Sequence, residues 1–175
     1  MKLDDATPPD GGEVNNIPLG KRSEATYNNL KEKIEHEISR IEKLLNDAQP
    51  LLDLCKIREP DFIEITATAQ ILHSFYNGVE SVVILFLKSI NEKIPNDIRW
   101  HKTLFEVMFG TNSKNIPIIR KDIKEQMEKY MYFRHFIRHS YSSELKWNEM
   151  EILIKNLDEM WKIIKTDFEE FIKSN

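Results

Sequence analysis

Cysteine is almost absent from this chain: Cys55 is the single one in 175 residues. A disulfide framework and a cysteine-rich zinc site are thereby excluded. The lone thiol fits a reducing cytosol and a small packing residue on a helix. Long apolar runs are also missing. The most apolar stretch, Val79 to Leu87, is far shorter than the ~20 residues of a membrane span, and Met1 to Asp10 is polar and acidic, with no signal-peptide core. Glycine is scarce, and three of the five (Gly11, Gly12, Gly20) fall in the first twenty residues beside Pro8, Pro9 and Pro18. No Gly-rich phosphate loop, nucleophile elbow or His-Glu-x-x-His motif occurs, which argues against dinucleotide, P-loop and zincin chemistry. No segment alternates in the manner of a strand. The expectations are a cytoplasmic protein with no membrane span, no metal and no cofactor.

What remains is helical. The first 22 residues have little to bury and are expected to be a disordered tail, with residues 23–175 forming one domain. Ser23 is a plausible N-cap for a helix with Tyr27, Leu30, Ile34, Ile38, Ile41, Leu45 and Ala48 on one stripe. Pro50 is expected to kink or end it, with a short continuation through Leu54. Pro60 suits the start of a second helix, which presents Phe62, Ile65, Ala69, Leu72, Tyr76, Val79, Val83, Phe86 and Ile90. A short helix is expected from Asp97 to Phe109, stopping at Gly110. Another long one follows Pro117, and a last one covers about Trp147 to Ile172. Met150, Leu153, Ile154, Leu157, Trp161, Ile164, Phe168 and Phe171 form its inner face. The pattern describes an all-α antiparallel four-helix bundle with one additional short helix.

The anomaly lies in the fourth helix. Ile123, Met127, Tyr130 and Met131 mark its core stripe, and at about 100° per residue the stripe runs on into Arg134, Arg138 and Tyr141. His135 and His139 fall on the side of Lys124, Glu125 and Glu128. A guanidinium does not shed its proton, so burying one demands an anion: a carboxylate, or a phosphate at a cleft. The chain is net −4, which argues against a general nucleic-acid coat. Yet Lys129, Arg134, Arg138 and Lys146 face Glu144 alone between residues 129 and 146.

His135 and His139 are spaced to share a metal, but a third ligand is missing. His73, Tyr76 and Glu80 share a face of the second helix. The plainer and preferred reading is a polar bundle edge with His73 and Tyr76 hydrogen-bonded in place; the other has Glu80 offering its carboxylate to Arg134 or Arg138. Trp100 and His101 open the short helix, and the sequence does not place them. Arg134 and Arg138 could also snorkel to the rim. In a functional reading, His139 has a pKa suited to move a proton at a ribose 2′-hydroxyl or a leaving 5′-oxygen. The guanidiniums match a phosphate. On a straight helix Arg134 and His139 point roughly 140° apart, so a joint site needs a distorted helix end or a second copy of the chain. Phe136 on the polar side, with Phe133 and Ile137 beside the arginines, suggests a homodimer interface.

The run Arg134-x-x-x-x-His139-Ser140-Tyr141 resembles the R-x-x-x-x-H-x-Y signature of HEPN-domain ribonuclease toxins of the HepT-like family. Leu72 to Glu80, the Trp100-His101 helix start, and Glu144 to Trp147 leading into the last helix resemble it too. The resemblance covers nearly all of the chain after residue 24. It implies a HEPN bundle that dimerises and cuts RNA without metal, with Arg134 and His139 catalytic and Arg138 and His135 as RNA phosphate contacts. It also implies the toxin of a type VII-like toxin–antitoxin pair, whose nucleotidyltransferase-fold antitoxin transfers AMP to the motif tyrosine, here Tyr141. AMP adds charge and bulk beside the RNA path. His73, Tyr76 and Glu80 would support the site from behind. The commonest signature has asparagine after the arginine, where this chain has His135. The alternative is a catalytically silent helical partner that binds or presents substrate to a nucleotidyltransferase.

Overall fold

The computed structural model describes residues 24–97 and 99–174, with only the backbone for 24–27. The tail expected at 1–22 and the Ser23 cap lie outside them. Among the described residues there are five α-helices and no strand: α1 Glu24–Ile57, α2 Phe62–Ser89, α3 Trp100–Met108, α4 Lys124–His139 and α5 Trp147–Ser174. Single 3-10 turns, Lys121–Ile123 and Ser142–Glu144, precede α4 and α5.

Helix α1 buries Ile34, Ile38, Ile41, Leu45, Ala48, Leu52 and Cys55, a stripe at helical spacing that lies against α2. Pro50 does not end it; the helix runs seven residues further, to Ile57. Pro50 is exposed, and so is Asn46, whose carbonyl loses its bond to the missing N–H. Water can therefore serve that carbonyl while Leu52 and Cys55 keep the next turn in the core. Four residues join α1 to α2, enough only for an antiparallel return. The register agrees: Cys55 lies 3.7 Å from Thr68, and further along Gly78 faces Ile41. A Cβ on Gly78 would stand 2.6 Å from Ile41 Cγ1, so glycine permits the close approach of the two helices.

Helix α2 does not start on Pro60. Asp61 is the N-cap: its carboxylate accepts from the Glu64 N–H at 2.9 Å, and the Glu64 side chain accepts from the Asp61 N–H at 2.8 Å. This reciprocal box satisfies two orphan donors of the first turn. Phe62, expected on the inner stripe, is 60% exposed. In the first turn its ring faces an open groove rather than the core. Beyond that, Ala69, Leu72, Phe75, Tyr76, Val79, Val82, Val83, Phe86 and Leu87 are buried. By length and composition alone α2 could cross a membrane, with a mean hydropathy of 1.2 in its most apolar window. Here it is the central core helix, touching each of the other four, and it carries Glu80 and His73.

Helix α3 starts at Trp100 rather than Asp97 and stops at Met108. Gly110 adopts φ +98°, a conformation that favours glycine, and turns the chain away. The N–H groups of Ile118 and Ile119 both donate to the Met108 carbonyl. Arg120 then clamps the buried Asp167 of α5 through Nε, Nη2 and its own backbone N–H. That clamp anchors the loop where α4 begins. Helix α4 buries Met127, Tyr130, Met131 and Phe133, and Tyr130 donates to the Leu153 carbonyl at 2.7 Å. Phe136 is half-buried against the core and Phe133, rather than turned to the polar side. Helix α5 buries all eight expected residues, together with Met160 and Asp167. Lys56–Asp158 and Lys165–Glu42 pairs set it antiparallel to α1.

Candidate functional site: a buried arginine between α2, α3 and α4

The α4 stripe delivers Arg134 into the core, where the residue is 8% exposed. It does not snorkel. Helix α2 presents Asn77 and Glu80 one turn apart on the facing side. Arg134 Nε donates to Asn77 Oδ1 at 2.7 Å and lies 3.3 Å from Glu80 Oε2. Glu80 is itself buried. The less favoured reading of the sequence, Glu80 as the carboxylate partner, is thus the one the structure bears out. A second Arg134 nitrogen, Nη2, sits 3.2 Å from His101 Nε2 on α3. His101 turns its other nitrogen, Nδ1, to Glu80 Oε1 at 3.0 Å. The first residues of α3, which the sequence left unplaced, therefore complete the site. Trp100 stacks on the His101 ring with centroids 3.5 Å apart.

Arg138, one turn beyond Arg134, is exposed, and its Nη1 reaches the same His101 Nε2 at 3.3 Å. No carboxylate pairs with it among the described residues. Two guanidiniums against one Glu80 carboxylate leave one excess positive charge at the mouth of this pocket. Burial lowers the Arg134 pKa, with Glu80 opposing and Arg138 adding to the shift; a guanidinium stays charged regardless. His73 lies on the same face, its ring 3.3 Å from the Asn77 amide. Burial and then the charges of Arg134 and Arg138 push its pKa down, against Glu80, favouring the neutral ring.

Tyr76 departs from the expectation of a tyrosine hydrogen-bonded in place. It is fully buried, yet its hydroxyl has no hydrogen-bond partner among the described residues. Burial, followed by the Glu80 charge, raises its pKa well above the ordinary value.

The other motif residues lie at the solvent end of α4. His135 and His139 are exposed, their rings 4.7 Å apart. Among the described residues, no group of three or more His, Cys, Asp or Glu is arranged for a metal. No hydrogen bond joins His139 to Arg134 within the chain. Tyr141 does not continue the stripe: Ser140, with φ −109° and ψ 152°, ends the helix, and Tyr141 stands 79% exposed. Its backbone N–H donates to Glu144, which opens the turn into α5. Tyr141, Ile137 and Leu145 line an open groove of about 600 Å³ with Phe62 and Ile63 of the α2 start. Phe62 and Ile63 are 60% and 75% exposed, an apolar patch beside the motif.

The fold and this pocket define an all-α bundle in which a buried arginine is framed by polar side chains. A family model described as "HepT-like protein" matches residues 67–175. The chain belongs to the HepT-like family. The matched span takes in most of α2 and everything after it, including the whole arginine pocket, while α1 lies outside. No curated protein and no solved structure matches the chain.

Proposed function

We propose that this protein is the toxin of a toxin–antitoxin pair and that it cleaves RNA at a groove between two copies of the chain. The observation that carries the reading is the framed Arg134. A guanidinium is held by Asn77, Glu80 and His101, beside an exposed Arg138 that has no carboxylate partner among the described residues. Such a pair suits a phosphodiester, which guanidiniums bind through paired N–H donors. In this reading, a ribose 2′-oxygen attacks the adjacent phosphorus and the bond to the 5′-oxygen breaks. The products are a cyclic phosphate and a 5′-hydroxyl. Arg134 stabilises the charge on the phosphoryl oxygens, and His139 moves a proton at the 2′- or the 5′-oxygen. Arg138 and His135 hold flanking phosphates.

A second copy answers the separation of a buried Arg134 from an exposed His139, since the partner's His139 can complete a site that one chain leaves open. The apolar patch of Phe62 and Ile63 beside the groove supports such pairing. Tyr141 is the position for control. Its exposed hydroxyl attacks the α-phosphorus of ATP on a nucleotidyltransferase-fold antitoxin, pyrophosphate leaves, and the phenolic proton passes to solvent or a base. The adenylate then blocks the groove with charge and bulk. RNA and ATP place this system in the cytoplasm.

The second reading, a silent helical partner of a nucleotidyltransferase, draws on the unlinked His139 and on His135 in place of the signature's asparagine. Expression of the chain and of His139→Ala in bacteria, with growth and total RNA followed, separates the two. Growth arrest and RNA fragments from the unaltered chain alone are expected. Harmlessness of both versions, with intact RNA, would overturn the ribonuclease reading.

A further inference from the structure

We infer that His101 is a positioning residue that holds both arginines through a single imidazole lone pair, with Glu80 choosing the tautomer. The inference rests on the reading of Arg134 and Arg138 as phosphate-binding groups. It follows from donor and acceptor bookkeeping. A guanidinium has donors only, and an ionised carboxylate has acceptors only. Nε2 of His101 faces two guanidiniums, at 3.2 and 3.3 Å, so it must accept. Nδ1 faces Glu80 Oε1 at 3.0 Å, so it must donate. Both demands are met by one form of the ring, the neutral Nδ1–H tautomer.

The consequence is geometric. Arg134 sits on α4 one turn before Arg138, and its own frame on α2 does not reach Arg138. Among the described residues, His101 is the one side chain hydrogen-bonded to both. By sharing Nε2 it ties the exposed Arg138 to the buried Arg134, and so sets the separation of two phosphate donors. The Trp100 ring against His101 restrains the imidazole plane. A long exposed arginine otherwise loses much rotamer freedom on binding; a tethered one has less to lose.

The amide variants separate acceptor from donor. Gln at position 101 can place its carbonyl where Nε2 was, and so keep the guanidinium contact. Asn is too short to reach it and can only supply the donor to Glu80. Ala removes both. The probe is a 2′-O-methyl RNA oligonucleotide, which cannot cleave itself through its 2′-oxygen. Binding by His101→Asn and His101→Ala is expected to weaken by about 10–100-fold, the worth of a hydrogen bond to a charged group. His101→Gln should stay within about 3-fold of the unaltered protein. In the free protein, ¹⁵N spectra of the imidazole at neutral pH should show Nδ1 protonated and Nε2 as the bare nitrogen. An Nε2–H tautomer, an imidazolium, or a Gln variant as weak as Asn overturns the role. An unaltered protein that binds the oligonucleotide but cleaves no RNA overturns only the ribonuclease reading. One that binds no oligonucleotide overturns both.

Discussion

Glu80→Leu should be among the most damaging single substitutions in this protein, and its damage should be largely undone by Arg134→Met. The side chains of Glu80 and Arg134 are 5% and 10% exposed, and their charges face each other at 3.3 Å. Removing the carboxylate leaves the guanidinium with two neutral acceptors, Asn77 and His101, and with Arg138 as a nearby like charge. Stranding a buried charge in this way costs about 3–5 kcal/mol, a large part of the roughly 5–15 kcal/mol that holds a domain together. With a urea slope of about 1–3 kcal/mol/M the midpoint should fall by roughly 1–5 M. Arg134→Met leaves Glu80 one donor, His101 Nδ1, and is expected to be the milder of the two single changes. In the double variant neither charge is stranded, so its loss should be at least ~2 kcal/mol smaller than the sum of the single losses, within the usual coupling of contacting residues. Urea unfolding followed by helical circular dichroism measures all four proteins. Losses that add to within ~0.5 kcal/mol would refute the ion pair as the anchor of this pocket. The double variant also separates stability from chemistry: it should fold well and be inert toward RNA.

Three further outcomes are expected. Gly78→Ala should lower stability by up to about 2 kcal/mol: overpacking Ile41 at 2.6 Å outweighs the roughly 1 kcal/mol that alanine gains in a helix, and a raised unfolding midpoint would contradict the close α1–α2 approach. The pKa of His73 is lower in the folded state, so the unfolded chain binds more protons as the pH falls below the ordinary histidine value; stability is full above that value and is lost below it. Unfolding at pH 5 to 8 should therefore show a flatter acid limb for His73→Asn than for the unaltered chain, and equal slopes would refute the shift. Tyr141→Phe should change stability by less than ~0.5 kcal/mol, since the ring is exposed. It should also abolish the gain of one adenylate mass on incubation with ATP and the nucleotidyltransferase; mass gain at another residue would remove Tyr141 from its role.

Helical periodicity was enough to place most of the core. The eight inward residues assigned to α5 are all buried, and the same stripe carried Arg134 inward as expected. Periodicity fails where a helix ends. Arg138 and Tyr141 continue the stripe on paper, but Ser140 leaves the helix and puts Tyr141 in solvent. Phe62 is exposed for the mirror reason, at the first turn of α2. The start of α2 was legible in Asp61 and Glu64, a capping pair three residues apart; the proline beside it drew the boundary two residues early. Pro50 misled in the opposite sense, since tertiary burial on both sides of it outweighs one lost bond.

Glu80 and His101 show where such reasoning stops. Glu80 shares a helix face with His73 and Tyr76, so its position on α2 was readable and the choice was only which partner it met. His101 lies on another helix, beyond a connection whose path no local pattern dictates, and reaches Glu80 across 21 residues of sequence. What the sequence did contain was the need. A buried guanidinium has five donors, and one carboxylate and one asparagine oxygen leave part of it unserved. That shortfall is met by His101, whose neutral imidazole accepts on one edge and donates to Glu80 on the other, a double role that amide and hydroxyl side chains share. Counting donors on Arg134 therefore predicts one more polar side chain in the pocket, without fixing its type or its helix. The same count explains why a lysine at position 134 should fail to reproduce the site: a single ammonium cannot span Asn77, Glu80 and His101 in one plane.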